Sequence, residues 1–74
     1  MTATTSPQIR MVNDIAVQFH SRPPEKAVEW IADHIRKFWD PRMRADVRKR
    51  AAEQPEEFDP LALEAVRVLE RETG

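Results

Sequence analysis

Six prolines and a single glycine punctuate these 74 residues, and the placement of the prolines constrains the fold more than any other feature. Proline fixes φ near the helical value and has no N–H to donate, so it suits the first turn of a helix and breaks a helix interior. Ser6-Pro7 reads as an N-cap followed by the first helical position. Ile9, Met11, Val12, Ile15, Ala16 and Phe19 then fall on one side at helical spacing, and the spacing predicts a helix from about Pro7 to His20. After a break at Arg22, Pro23 and Pro24, residues Ala27, Val28, Ile31, Ala32, Ile35, Phe38 and Trp39 oppose Glu25, Glu29, Asp33, Arg36 and Lys37. That pattern predicts a second helix from Pro24 to about Trp39. Asp40-Pro41 and Asp59-Pro60 repeat one signature, an aspartate able to accept from free N–H groups ahead of a proline. Two further helices are expected there, Pro41 to about Gln54 and Pro60 to about Glu72. The third has only a narrow Met43, Val47, Ala51 seam, whereas the fourth carries Leu61, Ala65, Val66, Val68 and Leu69.

No segment alternates with the period of a strand, and glycine-centred hairpin turns are missing. The expected class is therefore all-α, a small bundle of three to four short helices, with residues 1–6 a flexible N-terminus and residues 7–74 a single helical domain. Short connections favour antiparallel packing of the first two helices, and the Trp39-Asp40-Pro41 junction implies a sharp change of direction. A chain of this length buries only about 60% of the surface its unfolded form exposes, so a disulfide, a metal or a partner would help to hold it. Cysteine is absent, which removes disulfides, thiolate metal sites and cysteine nucleophiles and suits a reducing compartment. The N-terminus has neither a basic nor an apolar targeting region, and no apolar run approaches the ~20 residues of a membrane helix. The expected location is cytoplasmic, without a membrane.

The apolar arc of the second helix, from Ala27 to Ala32, covers about 140°. Trp30 and His34 lie just outside it, and with Phe38 they form an i, i+4, i+8 strip that widens the apolar side to about 200°. One neighbouring helix does not cover such a face. Either the second helix is central, with the first and fourth on its flanks, or Trp30 and one or more of Phe38, Trp39 and Met43 stay exposed for another protein, since aromatics, methionine and arginine are enriched in interface cores. Charge is segregated although the net value is −1. Residues 36–52 carry seven bases against two acids, and residues 53–74 carry two bases against seven acids. Arginine outnumbers lysine in the basic stretch, which favours bidentate contacts to carboxylate or phosphate. The candidate interface is thus Trp30, His34, Phe38, Trp39, Arg42, Met43 and Arg44. The alternatives are that Trp39 plugs the core where two helices diverge and that Arg42 and Arg44 are a solvated face.

Catalytic candidates are few. His20 and His34 lie on different helices without metal-ligand spacing, Glu29 and Asp33 belong to a solvated salt-bridge face, and one glycine leaves no phosphate-cradling loop. No catalytic residue and no metal ligand is expected.

The stretch Ala32-Asp33-His34-Ile35-Arg36-Lys37-Phe38-Trp39-Asp40-Pro41-Arg42-Met43-Arg44 resembles the signature of the delta subunit of NAD-dependent formate dehydrogenases. Met11-Val12-Asn13-Asp14-Ile15-Ala16 resembles that family's Met-x-Asn-Gln-Ile-Ala pattern, with Asp14 in place of glutamine. Pro60-Leu61 with Ala65 and Leu69 resembles its C-terminal helix, although the Gln54 to Asp59 connection lacks the family's glycine. The resemblance spans about residues 9 to 69 and implies a non-catalytic subunit of a molybdenum- or tungsten-dependent complex. In such a complex the catalytic alpha subunit holds a bis-pterin metal cofactor, and the beta and gamma subunits carry iron–sulfur clusters, FMN and the NAD site. It further implies that this chain binds the alpha subunit and supports its assembly, molybdenum-cofactor loading or stability. Its rivals are a nucleic-acid-binding helical module using Arg42 to Arg50, a transient assembly chaperone that binds the immature catalytic subunit or a cofactor nucleotide, and, last, an independent enzyme; self-association stays open as a partner. Near-zero net charge and an acidic last helix argue against nucleic acid.

Overall fold

The computed structural model describes residues 6–73. Four helices follow in order, α1 (Pro7–Val17), α2 (Pro24–Phe38), α3 (Pro41–Glu53) and α4 (Pro60–Thr73), with a short 3-10 turn over Pro55–Glu57 between the last two. Among the described residues there is no strand, so the all-α reading holds. Each helix begins at the proline that the sequence marks. At α1, the Ser6 hydroxyl accepts from the Ile9 N–H at 3.2 Å. At α3, Asp40 Oδ1 accepts from the Met43 N–H at 2.9 Å, and ahead of α4, Asp59 Oδ1 accepts from the Leu61 N–H at 2.9 Å. These side chains satisfy donors that the first helical turn leaves unpaired. α2 has Pro23 as its cap residue and no side-chain cap bond.

Residues 1–5 and 74 of the expected boundaries lie outside the described residues. Ser6 is the N-cap that the sequence marks, buried at 7% exposure because its hydroxyl approaches the backbone of α1, so it belongs with the helix rather than with the residues before it. Helix ends also differ slightly from the sequence reading. α1 stops at Val17 and the chain tightens into i→i+3 turns, with the Phe19 N–H donating to the Ala16 carbonyl at 2.9 Å and the Arg22 N–H to the Phe19 carbonyl at 3.0 Å.

The core joins Ile9, Val12 and Ala16 of α1, Ile31, Ala32 and Ile35 of α2, Val47 and Ala51 of α3, and Ala62, Ala65, Val66 and Leu69 of α4. α4 touches all three other helices, and its contact with α2 is the most extensive in the fold. α2 is flanked by α1 and α4, as one sequence reading expects, while α4 makes the most extensive contacts overall. The alanines of α4 explain this: Ala62 and Ala65 are fully enclosed, and small residues let neighbouring helices approach closely. α3 contributes two buried residues only, as its narrow seam predicts. The whole is a slab of 36 × 29 × 18 Å. At roughly 10 Å per helix with side chains, its thin dimension holds about two helices, so each helix has a side that no other helix reaches.

Candidate partner-binding surface

α2 projects a row of rings away from the core. Trp30 and His34 stack with centroids 5.2 Å apart and planes 12° from parallel, and His34 meets Phe38 at 5.0 Å with a 40° tilt. The i, i+4 spacing of one helix produces this geometry directly. Phe19, just beyond the end of α1, extends the row by contacting Trp30 at 4.7 Å, and the Arg22 guanidinium lies 5.7 Å from the Phe19 ring, within cation–π range. The result is a continuous four-ring ladder drawn from two segments. Trp30 is 48% exposed and Phe38 73% exposed, while Phe19 and His34 are half-buried, so the ladder faces solvent mainly through Trp30 and Phe38. A depression of about 540 Å³ beside it is bordered by Phe19, Trp30, Arg22 and Lys26.

The remaining candidates separate. Trp39 is 5% exposed and belongs to the core, which corrects its placement on a partner-facing surface. It follows the last residue of α2 and has extended backbone, φ −93° and ψ 135°, so the helical phase that would carry it outwards no longer applies and its indole turns inwards. Met43 is half-buried and packs against the core. Arg42 is exposed. Arg44 is half-buried and donates from Nη1 to the Arg36 carbonyl at 3.3 Å, which caps the C-terminal end of α2 with a cation. Arg36 in turn forms a fork with Glu72 of α4, Nη2 to Oε2 at 2.7 Å and Nε to Oε1 at 3.1 Å. The structure thus brings Trp30, His34 and Phe38 together as one surface, places Arg42 on the first turn of α3, and directs Trp39, Met43 and part of Arg44 inwards.

Two features escaped the sequence reading. Phe19 belongs with the ladder, a juxtaposition that needs α1 packed beside α2. Asn13 is a staple: its Nδ2 donates to the Glu57 carbonyl at 2.9 Å and its Oδ1 accepts from the Asp59 N–H at 2.8 Å. His20 Nε2 also lies 2.5 Å from Asp59 Oδ2, so the segment before α4 is tied both to the middle of α1 and to the turn that follows it. Asp14, by contrast, is exposed.

Among the described residues no group of three His, Cys, Asp or Glu could hold a metal ion, and no helix is long and apolar enough to cross a membrane. The family of NADH-dependent formate dehydrogenase delta subunits, FdsD, matches residues 8–66. The chain belongs to that family. Comparisons with curated proteins and with solved structures give no match. In this FdsD-family chain the His34 to Arg44 signature runs from the ladder on α2, through the buried Trp39 and the Asp40 cap, to the Arg44 that closes α2. The signature thus records one helix junction together with the exposed rings beside it.

Proposed function

We propose that this chain is a non-catalytic accessory subunit of a soluble, cytoplasmic NAD-dependent formate dehydrogenase, bound to the catalytic alpha subunit and supporting its assembly, molybdenum-cofactor loading or stability. The observation that carries this reading is the Phe19–Trp30–His34–Phe38 ladder, a solvent-facing aromatic row on a delta-subunit-family chain. Large aromatic side chains bring much apolar area to an interface with few rotatable bonds, which is why they dominate interface energetics. Arg42, exposed on the first turn of α3, is proposed as a second, charged contact with the alpha subunit.

Conversion of formate and NAD⁺ to CO₂ and NADH belongs, in this reading, to the complex. The residues of this chain do not fit its redox groups: there is no cysteine to ligate iron–sulfur clusters, and a lone glycine offers no dinucleotide loop. The bis-pterin molybdenum or tungsten cofactor, the iron–sulfur clusters, FMN and NAD are accordingly assigned to the alpha, beta and gamma subunits.

The test is co-expression of the whole complex with Trp30→Ala and Phe38→Ala combined in this chain. Circular dichroism of the purified double variant should match the parent, because neither side chain belongs to the core, while its recovery with the tagged alpha subunit should fall at least about tenfold, the loss of two hot-spot contacts. Recovery at parental stoichiometry by a folded double variant overturns the proposed surface. Association with immature alpha subunit alone, and absence from active enzyme, would make the chain a transient chaperone rather than a resident subunit.

A further inference from the structure

The basic residues of α3 are not used equally. Arg50 pairs with Asp46 at 3.1 Å, and Asp46 is the only acid within that helix before its last residue. Arg44 and Arg48, spaced i, i+4 and therefore on one face, have no carboxylate partner among the described residues. Like charges at this spacing repel. Arg48 is half-buried, and its Nε is shielded from solvent with no hydrogen-bond partner among the described residues. Buried polar groups are normally paired, and an unpaired guanidinium donor is among the costlier exceptions.

Both arginines border a cleft of about 300 Å³ between the first turns of α3 and the C-terminal end of α4, closed by Arg36, Pro41, Leu69 and Glu72. The acid in its wall is already neutralised, since both Glu72 oxygens accept from Arg36 at 2.7 Å. Arg44 directs one donor to the Arg36 carbonyl and keeps the rest of its fork. The cleft thus combines two guanidinium groups without a carboxylate partner among the described residues, a neutralised carboxylate, and the apolar side chains of Pro41 and Leu69. A planar carboxylate saturates one arginine fork, whereas a tetrahedral phosphate has oxygens for two forks at once.

We propose that the Arg44–Arg48 cleft is a binding site for a phosphate group. The site lies apart from the aromatic ladder, and the inference does not depend on the assignment to formate dehydrogenase assembly.

The experiment is a titration of the full chain with inorganic phosphate at low ionic strength, following the Nε–Hε resonances of the arginines by NMR. Acetate and chloride serve as competitors at matched ionic strength. Saturable shifts confined to Arg44, Arg48 and Arg36 are expected, with phosphate at least about tenfold tighter than acetate because only phosphate spans both forks. Arg48→Lys, which keeps the charge and loses the fork, should weaken phosphate by about tenfold, and Arg48→Gln should weaken it further. Shifts that chloride reproduces or that never saturate overturn the site. Acetate binding as tight as phosphate overturns it too, by making the cleft a receptor for a protein carboxylate. The phosphate-against-acetate comparison is made on the unaltered chain, so it decides the matter even if an Arg48 variant fails to fold. Repeating the titration with pyrophosphate and a nucleoside monophosphate distinguishes a free phosphate ligand from a nucleotide-borne one.

Discussion

Replacing Asn13 by alanine tests whether one amide fastens the start of α4 to α1. The amide makes two bonds, 2.9 Å to the Glu57 carbonyl and 2.8 Å from the Asp59 N–H, and both are partly shielded from solvent. A typical hydrogen bond contributes about 1 kcal/mol net, and stranding a shielded partner costs about 1–3 kcal/mol. Two such bonds in a half-buried setting give a loss of about 2 kcal/mol. A domain of this size has about 4–11 kcal/mol in total at 0.05–0.15 kcal/mol per residue, so the substitution should be conspicuous. Urea unfolding followed by circular dichroism should move its midpoint down by about 2 M for a slope near 1 kcal/mol/M, and the melting temperature should fall by about 10 °C. The neighbouring Asp14→Ala removes an exposed side chain and should change stability by less than about 0.5 kcal/mol. Equal effects at positions 13 and 14, or an Asn13→Ala loss below about 0.5 kcal/mol, would refute the staple.

Two more outcomes follow from burial. Ile35→Ala empties a fully enclosed site facing the core and should cost about 2–5 kcal/mol, seen as a broadened or absent thermal transition; a parental transition would show that α2 faces the core differently. The two tryptophans should differ in access to acrylamide. With Trp39→Phe the remaining Trp30, 48% exposed, should be quenched several-fold more than the Trp39 left by Trp30→Phe, which is 5% exposed; similar quenching would contradict the placement of both.

What was legible in the sequence was what local chemistry decides. The helix starts at Pro7, Pro24, Pro41 and Pro60 depend on φ restriction and on a capping side chain a few residues away, so they stand where the sequence marks them. The ring row on α2 was legible because three of its members share a helix face by spacing alone. Positions just beyond helix ends were not, because there the backbone leaves the helical phase. Trp39 turns into the core for that reason, and Phe19 joins Trp30 only through the packing of separate segments. The 3-10 turn over Pro55–Glu57 also went unread, for it is held by a single turn and by Asn13 across 44 positions of chain. Centrality is likewise a property of the assembled helices: α1 and α4 do flank α2, as the breadth of its apolar arc suggests, yet the small side chains of α4 give that helix the most extensive contacts in the fold.

The contact of each ring with the next has a consequence for recognition. Trp30, His34 and Phe38 rest on one another, so each restricts the rotamers open to its neighbours before any partner arrives. Binding by a loose set of side chains loses about 0.5–1.5 kcal/mol for each one immobilised. A row already held in register by mutual contact loses less, and more of its apolar area then appears as slower dissociation. The row presents its partner with a nearly finished mould.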